Sequence, residues 1–263
     1  GRGEALMSAQ KQVLQLCVDA GVMLLQNGAE VFRVQETMER IAKAYHAENF
    51  HVYVLTNGIF ASVDDEGHTH NGEIRHVPSA NVHMGRIAAL NDLSRNIESG
   101  KVSAEAASED IKQIGKMPYS SALACVLACG VGAACFAYIF GGTVWDAASA
   151  LCVGVILQLF LFFVGKYKLS RIIINIMASA VCAACSYVLF ALGMGTALNH
   201  IIIGAIIPLV PGMALTMSIR DFANGDYLSG AIRLIDALLV GGCIAIGVGA
   251  VLMVLSAFTG VRI

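Results

Sequence analysis

Between residues 118 and 258 apolar positions run almost without interruption, broken only by short polar connections. Five stretches, 119–140, 144–164, 172–192, 201–219 and 231–257, match or approach the roughly 20 apolar residues that carry an α-helix across the hydrocarbon core of a bilayer. Before residue 117 the pattern changes. Val13, Leu16, Cys17, Ala20 and Leu24 recur at spacings of three and four, as do Val31, Val34, Met38, Ile41 and Tyr45, which predicts two amphipathic helices divided by Gln26-Asn27-Gly28. Residues 51–56 and 59–64 are β-rich runs around Asn57-Gly58, a pair that predicts a hairpin closed by a type I′ turn with positive φ at both positions. A third strand is expected over 69–77, after the Asp65-Glu66-Gly67 turn, followed by helices over 82–97 and 103–116. The predicted fold class is an α-helical polytopic membrane protein with five transmembrane helices over residues 117–263, preceded over residues 1–116 by an α+β domain of helices on a short antiparallel meander.

Charge follows the same division. Residues 1–116 carry 11 Lys and Arg and 15 Asp and Glu, whereas residues 117–263 carry 6 Lys and Arg and 4 Asp. The whole chain is 57% hydrophobic and only 14% charged, far from the quarter expected of a soluble domain. Basic residues in short loops mark the cytoplasmic side. Lys166, Lys168 and Arg171 lie between the second and third spans and Arg220 and Arg233 flank the connection between the fourth and fifth, while connections 141–143 and 193–200 hold no Lys or Arg. The expected orientation is N-in/C-out, with the α+β domain in the cytoplasm and Arg262 outside. The opening Gly-Arg-Gly-Glu, leading into an amphipathic helix, lacks the layout of a cleavable signal. The acidic first half without a basic stripe argues against a nucleic-acid partner.

Seven of the eight cysteines fall in the predicted spans. Cys182-Ala-Ala-Cys185 has metal or redox spacing, but in an apolar helix without a His or acidic neighbour it reads as small-residue packing. His68, His70 and His76 could share one face of the meander, and an exposed strand face is the expected reading there too. No metal and no cofactor are expected.

Polar and helix-breaking residues inside lipid are costly and mark function by default. In the orientation above, Gln158, Asn175, Thr216, Asp221 and Asp236 gather in the inner half of the bilayer, with Pro208, Pro211 and Gly212 interrupting the fourth span. A helix broken in this way is tolerated where it borders a polar cavity or packs on neighbours, and in secondary transporters such breaks supply substrate-binding backbone groups; a plain structural kink is the alternative. Arg220, Asp221, Asp226, Arg233 and Asp236 bracket the last inner connection, with Arg233 and Asp236 three residues apart on one helical face. A buried Asp paired with Arg there is expected to be either a substrate carboxylate clamp or proton carrier, or else part of an ordinary juxtamembrane salt-bridge cluster. In the first half, Glu30, Arg33, Glu36, Glu39 and Arg40 surround the second helix, and Glu36 can pair with Arg40.

Gly28-Ala29-Glu30-x-x-Arg33-Val34-x-Glu36-Thr37-Met38, the turn at Thr56-Asn57-Gly58, Pro211-Gly212 and Arg220-Asp221-x-x-x-Gly225-Asp226-Tyr227-x-Ser229-Gly230-x-x-Arg233 together resemble the threonine/serine exporter family over nearly the whole chain. More narrowly, the chain looks like the larger subunit of the split, two-component bacterial form. The resemblance implies export across the bacterial inner membrane of small amino acids such as threonine and serine, or of small dicarboxylates such as succinate. It also implies a proton gradient as driving force and a small integral-membrane partner subunit, which an odd number of spans and the absence of a second half after Ile263 would fit. The motif points to Glu30, Arg33, Glu36, Thr37 and Asn57 in the cytoplasmic part. A homo-oligomer is a further possible assembly.

Two other classes compete. A membrane-anchored enzyme would need a nucleophile elbow, a phosphate loop or paired catalytic carboxylates at motif spacing, and the first half shows none of these. A channel or ligand-sensing receptor would need the same pocket without coupling to protons.

Overall fold

The computed structural model describes residues 2–47, 49–63, 71–77, 82–167 and 169–259, with side chains described from residue 10 onward except those of Asn71 and Thr259. His68 and His70, the 65–67 turn, Lys168 and Arg262 lie outside the described residues. The chain divides into two compact units, one of residues up to 119 together with 216–233, the other of 120–215 with 234–263. Residues 216–233, expected with the membrane half, thus group with the first unit.

The first unit contains α1 (Arg2–Gln26), α2 (Val31–Ala44), β1 (Phe50–Leu55), β2 (Gly58–Val63), β3 (Asn71–His76), α3 (Met84–Glu98) and α4 (Ala104–Gly115). Both predicted apolar stripes are its core: Val13, Leu16, Cys17, Ala20 and Leu24 of α1 and Val31, Val34, Met38 and Ile41 of α2 are buried. Burying each such large side chain contributes roughly 1.5–3 kcal/mol. Tyr45, the last member of the α2 stripe, is half-buried and donates its hydroxyl to the carbonyl of Val102 at 3.0 Å. The strands form an antiparallel meander in the order β1-β2-β3. Its inner face presents Val54, Ile59, Ala61 and Val63 to the helices.

The hairpin is present, but its closure differs from the expected one. Leu55 pairs directly with Gly58, so the two-residue loop is Thr56-Asn57, and neither Asn57 nor Gly58 has a positive φ. Gly58 becomes the first residue of β2. The Asn57 carbonyl accepts from the Val77 N–H at 2.9 Å, so the chain leaving β3 ties the loop down from outside. A tertiary hydrogen bond has overridden the local turn preference.

The second unit contains α5 (Ala122–Ile139), α6 (Val144–Val164), α7 (Arg171–Ala191) and α8 (Leu198–Ile206), followed by a single 3₁₀ turn, Ile207–Leu209. Two further helices, α9 (Gly212–Ala223) and α10 (Tyr227–Thr259), each contribute residues to both units. Serine and threonine side chains set the starts: Ser121, Thr143 and Ser170 accept from the backbone N–H groups of Ala124, Asp146 and Ile173. Helix α5 therefore begins after Pro118, three residues later than the apolar run does. Small residues allow close crossings: a Cβ on Gly154 would lie 2.8 Å from the Cys129 carbonyl oxygen and 3.0 Å from the Gly130 Cα. Cys129, Ala133, Leu157, Cys182, Ile201 and Ala205 share the resulting core. Cys182 is fully buried, and its thiol faces the Ala205 carbonyl at 3.7 Å, in keeping with its reading as a packing residue.

Helices α5, α6, α7 and α10 are long and apolar enough to cross a membrane. A fifth span results if α8 and α9, bent by 60° at their break, are counted as one. Large apolar side chains such as Leu123, Leu127, Phe163, Leu238 and Met253 point outward along these helices. An exposed apolar surface of this extent belongs to a multi-pass membrane protein.

Candidate functional site

Within the first unit, the turn between α1 and α2 meets the α9–α10 connection. Gly28 ends the first helix at φ +89°, a conformation open to glycine, and a Cβ there would approach Val82 to 2.9 Å. Glu30 occupies the N-cap position of α2, yet its side chain caps nothing. Instead its carboxylate pairs with Arg33 Nε at 3.4 Å and with Arg220 Nη1, a residue 190 positions further along the chain. Arg220 also lies over the Phe32 ring, 5.8 Å from its centroid. Two groups of residues far apart in the sequence, the α2 motif and the 220–233 cluster, therefore meet.

The next residue is the more deeply placed. Asp221 is 1% exposed, and Arg233 Nε stands 3.1 Å from its Oδ2, close enough for an ion pair but without the alignment of a hydrogen bond. Arg233 reaches the Ala29 carbonyl at 3.5 Å through Nη2 and the Met217 sulfur at 2.9 Å through Nη1, so it bridges the α1–α2 turn and α9. The connection itself is tightly made. Ser218 donates to the Gly230 carbonyl at 2.8 Å, Gly225 takes φ +86°, the Asp226 N–H donates to the Asp221 carbonyl at 2.9 Å, and Gly230 leaves room for the Phe222 ring. Asp226 is half-buried.

Among the described residues no ion pair joins Arg233 to Asp236. Arg233 is turned to Asp221, while Asp236, in the second unit, pairs with Arg171 at 3.4 Å. Spacing along one helix placed both on a common face, but each found a better partner on another helix. Gln158 and Asn175 are half-buried in α6 and α7 and, among the described residues, make no side-chain hydrogen bond. Pro208 is exposed in the 3₁₀ turn, Pro211 is half-buried just before α9, Gly212 starts α9 and Thr216 is exposed on it. Thr216 and Asp221 belong to the first unit and Gln158, Asn175 and Asp236 to the second. Glu36 pairs with Arg40 at 2.9 Å as expected, Thr37 is buried and Asn57 serves the hairpin loop. Among the described residues none of these three shares a hydrogen bond or ion pair with Glu30, Arg220, Asp221 or Arg233.

Asp146 is a further buried acidic residue, outside the set that the sequence pattern singles out. This residue is fully buried at the start of α6, and its carboxylate accepts from the Thr143 N–H and hydroxyl, both at 2.8 Å. It also accepts from the Thr196 N–H at 2.6 Å, the Thr196 hydroxyl at 2.7 Å and the Ala197 N–H at 3.0 Å. Thr143-x-x-Asp146 is a capping-box spacing and was legible as such. The second set of donors, from the α7–α8 connection, was not. Five donors on one carboxylate make Asp146 a structural anchor of the second unit.

A family model described as "Putative threonine/serine exporter" matches residues 15–255. The "Threonine/serine exporter" of Corynebacterium glutamicum is 21% identical over 244 residues, which are 90% of this chain and 50% of that protein. The "Probable threonine/serine exporter" of Mycobacterium tuberculosis is 26% identical over 249 residues, 90% of this chain and 45% of that protein. The chain thus spans about half the length of these relatives. No solved structure matches it. With the match extending across both units, the chain belongs to the threonine/serine exporter family.

Proposed function

We propose that this chain is one subunit of a secondary exporter that moves small amino acids, threonine and serine foremost, out of the cytoplasm at the expense of a proton gradient. In this reading it sits in a bacterial inner membrane with five spans, the bent pair being the fourth. Its N-terminal domain is cytoplasmic and its C-terminus external, and a small integral-membrane subunit completes the pathway. The observation that carries the reading is the family match over residues 15–255.

The buried Asp221–Arg233 pair supplies a coupling chemistry. With Asp221 ionised, Arg233 is neutralised and has little to offer an anionic group. A proton delivered to Asp221 removes that charge and frees the guanidinium for the carboxylate of a solute, so proton and solute occupancy become linked. Glu30, Arg33 and Arg220 adjoin this pair through Ala29. Succinate or another small dicarboxylate is the second candidate solute.

The test is uphill flux of labelled threonine, serine and succinate in inverted vesicles, with and without a small membrane subunit encoded beside this chain. Asp221→Asn should reduce proton-driven accumulation at least tenfold while leaving downhill exchange measurable. Flux that ignores the proton gradient would replace the exporter with a channel, and loss of exchange together with uphill flux would remove Asp221 from the coupling role.

A further inference from the structure

One cavity of about 160 Å³ lies wholly within the first unit, at the entry to α2. Its volume is well below the roughly 300 Å³ at which pockets for drug-sized ligands begin, so it suits a molecule of a few heavy atoms. Met84, Ile87 and Met217 give it apolar walls, while Glu30, Arg33 and Asn91 give it polar ones.

The polar groups are incompletely used. The Glu30 side chain is 12% exposed, and its Oε2 is buried without a hydrogen-bond partner, with Arg33 Nε 3.4 Å away. The Arg33 side chain is 55% exposed, with Glu30 as its ion-pair partner. Asn91, one turn beyond Ile87 on α3, has a half-buried side chain that makes no hydrogen bond among the described residues. The cavity therefore offers an anion and a cation side by side, an amide a short way off and an apolar wall.

We infer that this cavity binds a small zwitterionic α-amino acid of the size of threonine or serine. The inference rests on the exporter reading only for the choice among small amino acids. The ligand carboxylate takes the open face of the Arg33 guanidinium, where a two-pronged contact is available. Its ammonium takes the Glu30 carboxylate in exchange for Arg220. A short side chain lies against Met84 and Ile87, and a hydroxyl on it reaches the Asn91 amide. A dicarboxylate fits poorly, because its second anionic end would face Glu30. Occupancy also competes with Arg220 for Glu30, linking the cavity to α9.

The test is equilibrium binding of tritiated L-threonine to the purified full chain in detergent, with L-serine and succinate as competitors. Ile87→Trp fills the cavity and Arg33→Gln removes the carboxylate partner; melting temperature and gel-filtration profile establish which variants are folded. Saturable binding, displaced by serine and not by succinate, and weakened at least tenfold in each folded variant, is the expected result. The inference is overturned by absence of saturable binding, by displacement with succinate as effective as with serine, or by unchanged affinity in either folded variant. Vesicle flux separates this outcome from the exporter reading. Threonine flux with unchanged affinity in the variants overturns the cavity and leaves the exporter standing, whereas cavity-dependent binding without any flux supports the cavity as a sensor and overturns the exporter.

Discussion

Arg220 on α9 and Glu30 at the N-terminus of α2 form an ion pair across 190 residues of sequence. Glu30 is nearly buried and Arg220 half-exposed, so solvent screens the pair from one side only. Exposed ion pairs contribute little, with a median below about 1 kcal/mol. A double-mutant cycle with Glu30→Gln and Arg220→Gln should give a coupling energy of about 1 kcal/mol by thermal denaturation in detergent. A coupling indistinguishable from zero would mean that the pair does not hold in solution.

The Asp221–Arg233 pair should behave differently, because removing one partner strands the other in a buried position. Arg233→Gln is expected to cost roughly 3–5 kcal/mol, whereas the double variant Asp221→Asn with Arg233→Gln should recover a large part of that loss. Melting temperatures of the two variants decide the matter, and equal destabilisation by the single and double changes would contradict a buried pair.

Asp146→Ala leaves the N–H groups of Thr143, Thr196 and Ala197, together with the hydroxyls of both threonines, without their buried acceptor. The expected loss is about 3 kcal/mol, while Thr196→Val, which removes a single hydroxyl donor, should cost about 1 kcal/mol. Both are read as stability in detergent, and neither should alter threonine affinity, since the anchor lies in the second unit.

Cys17 is fully buried in α1, and burial pushes its thiol up to about 12 from an ordinary value near 9. In the folded chain at pH 8 it should therefore resist iodoacetamide over hours and react only after denaturation. The raised value also sets a sign for stability. The folded state holds its proton more tightly than the unfolded one, so this contribution is complete below about pH 9 and is lost as pH rises towards 12. Peptide mapping after alkylation checks the first expectation, and denaturation at pH 8 and pH 10.5 the second.

What the sequence by itself determined is whatever repeats within a few residues. The stripes Val13–Leu24 and Val31–Ile41 and the spans now seen as α5, α6 and α7 were legible because helical periodicity and apolar run length are local properties, and the α+β meander was legible through its strand runs. The family resemblance was legible because it is itself a pattern of spaced residues. Tertiary structure decided the partners. Asp236 lies one helical turn from Arg233 in sequence, yet Arg233 turns to Asp221 and Asp236 to Arg171. Asn57-Gly58 favours a primed turn, yet the carbonyl of Asn57 is held by Val77 and the loop closes one residue earlier. Thr143-x-x-Asp146 has only the spacing of a helix cap, yet Thr196 and Ala197 make the carboxylate a cross-link. In each case the deciding contact joins residues that are not neighbours on one element, and its geometry depends on how whole helices and strands are set against one another, which no local spacing encodes.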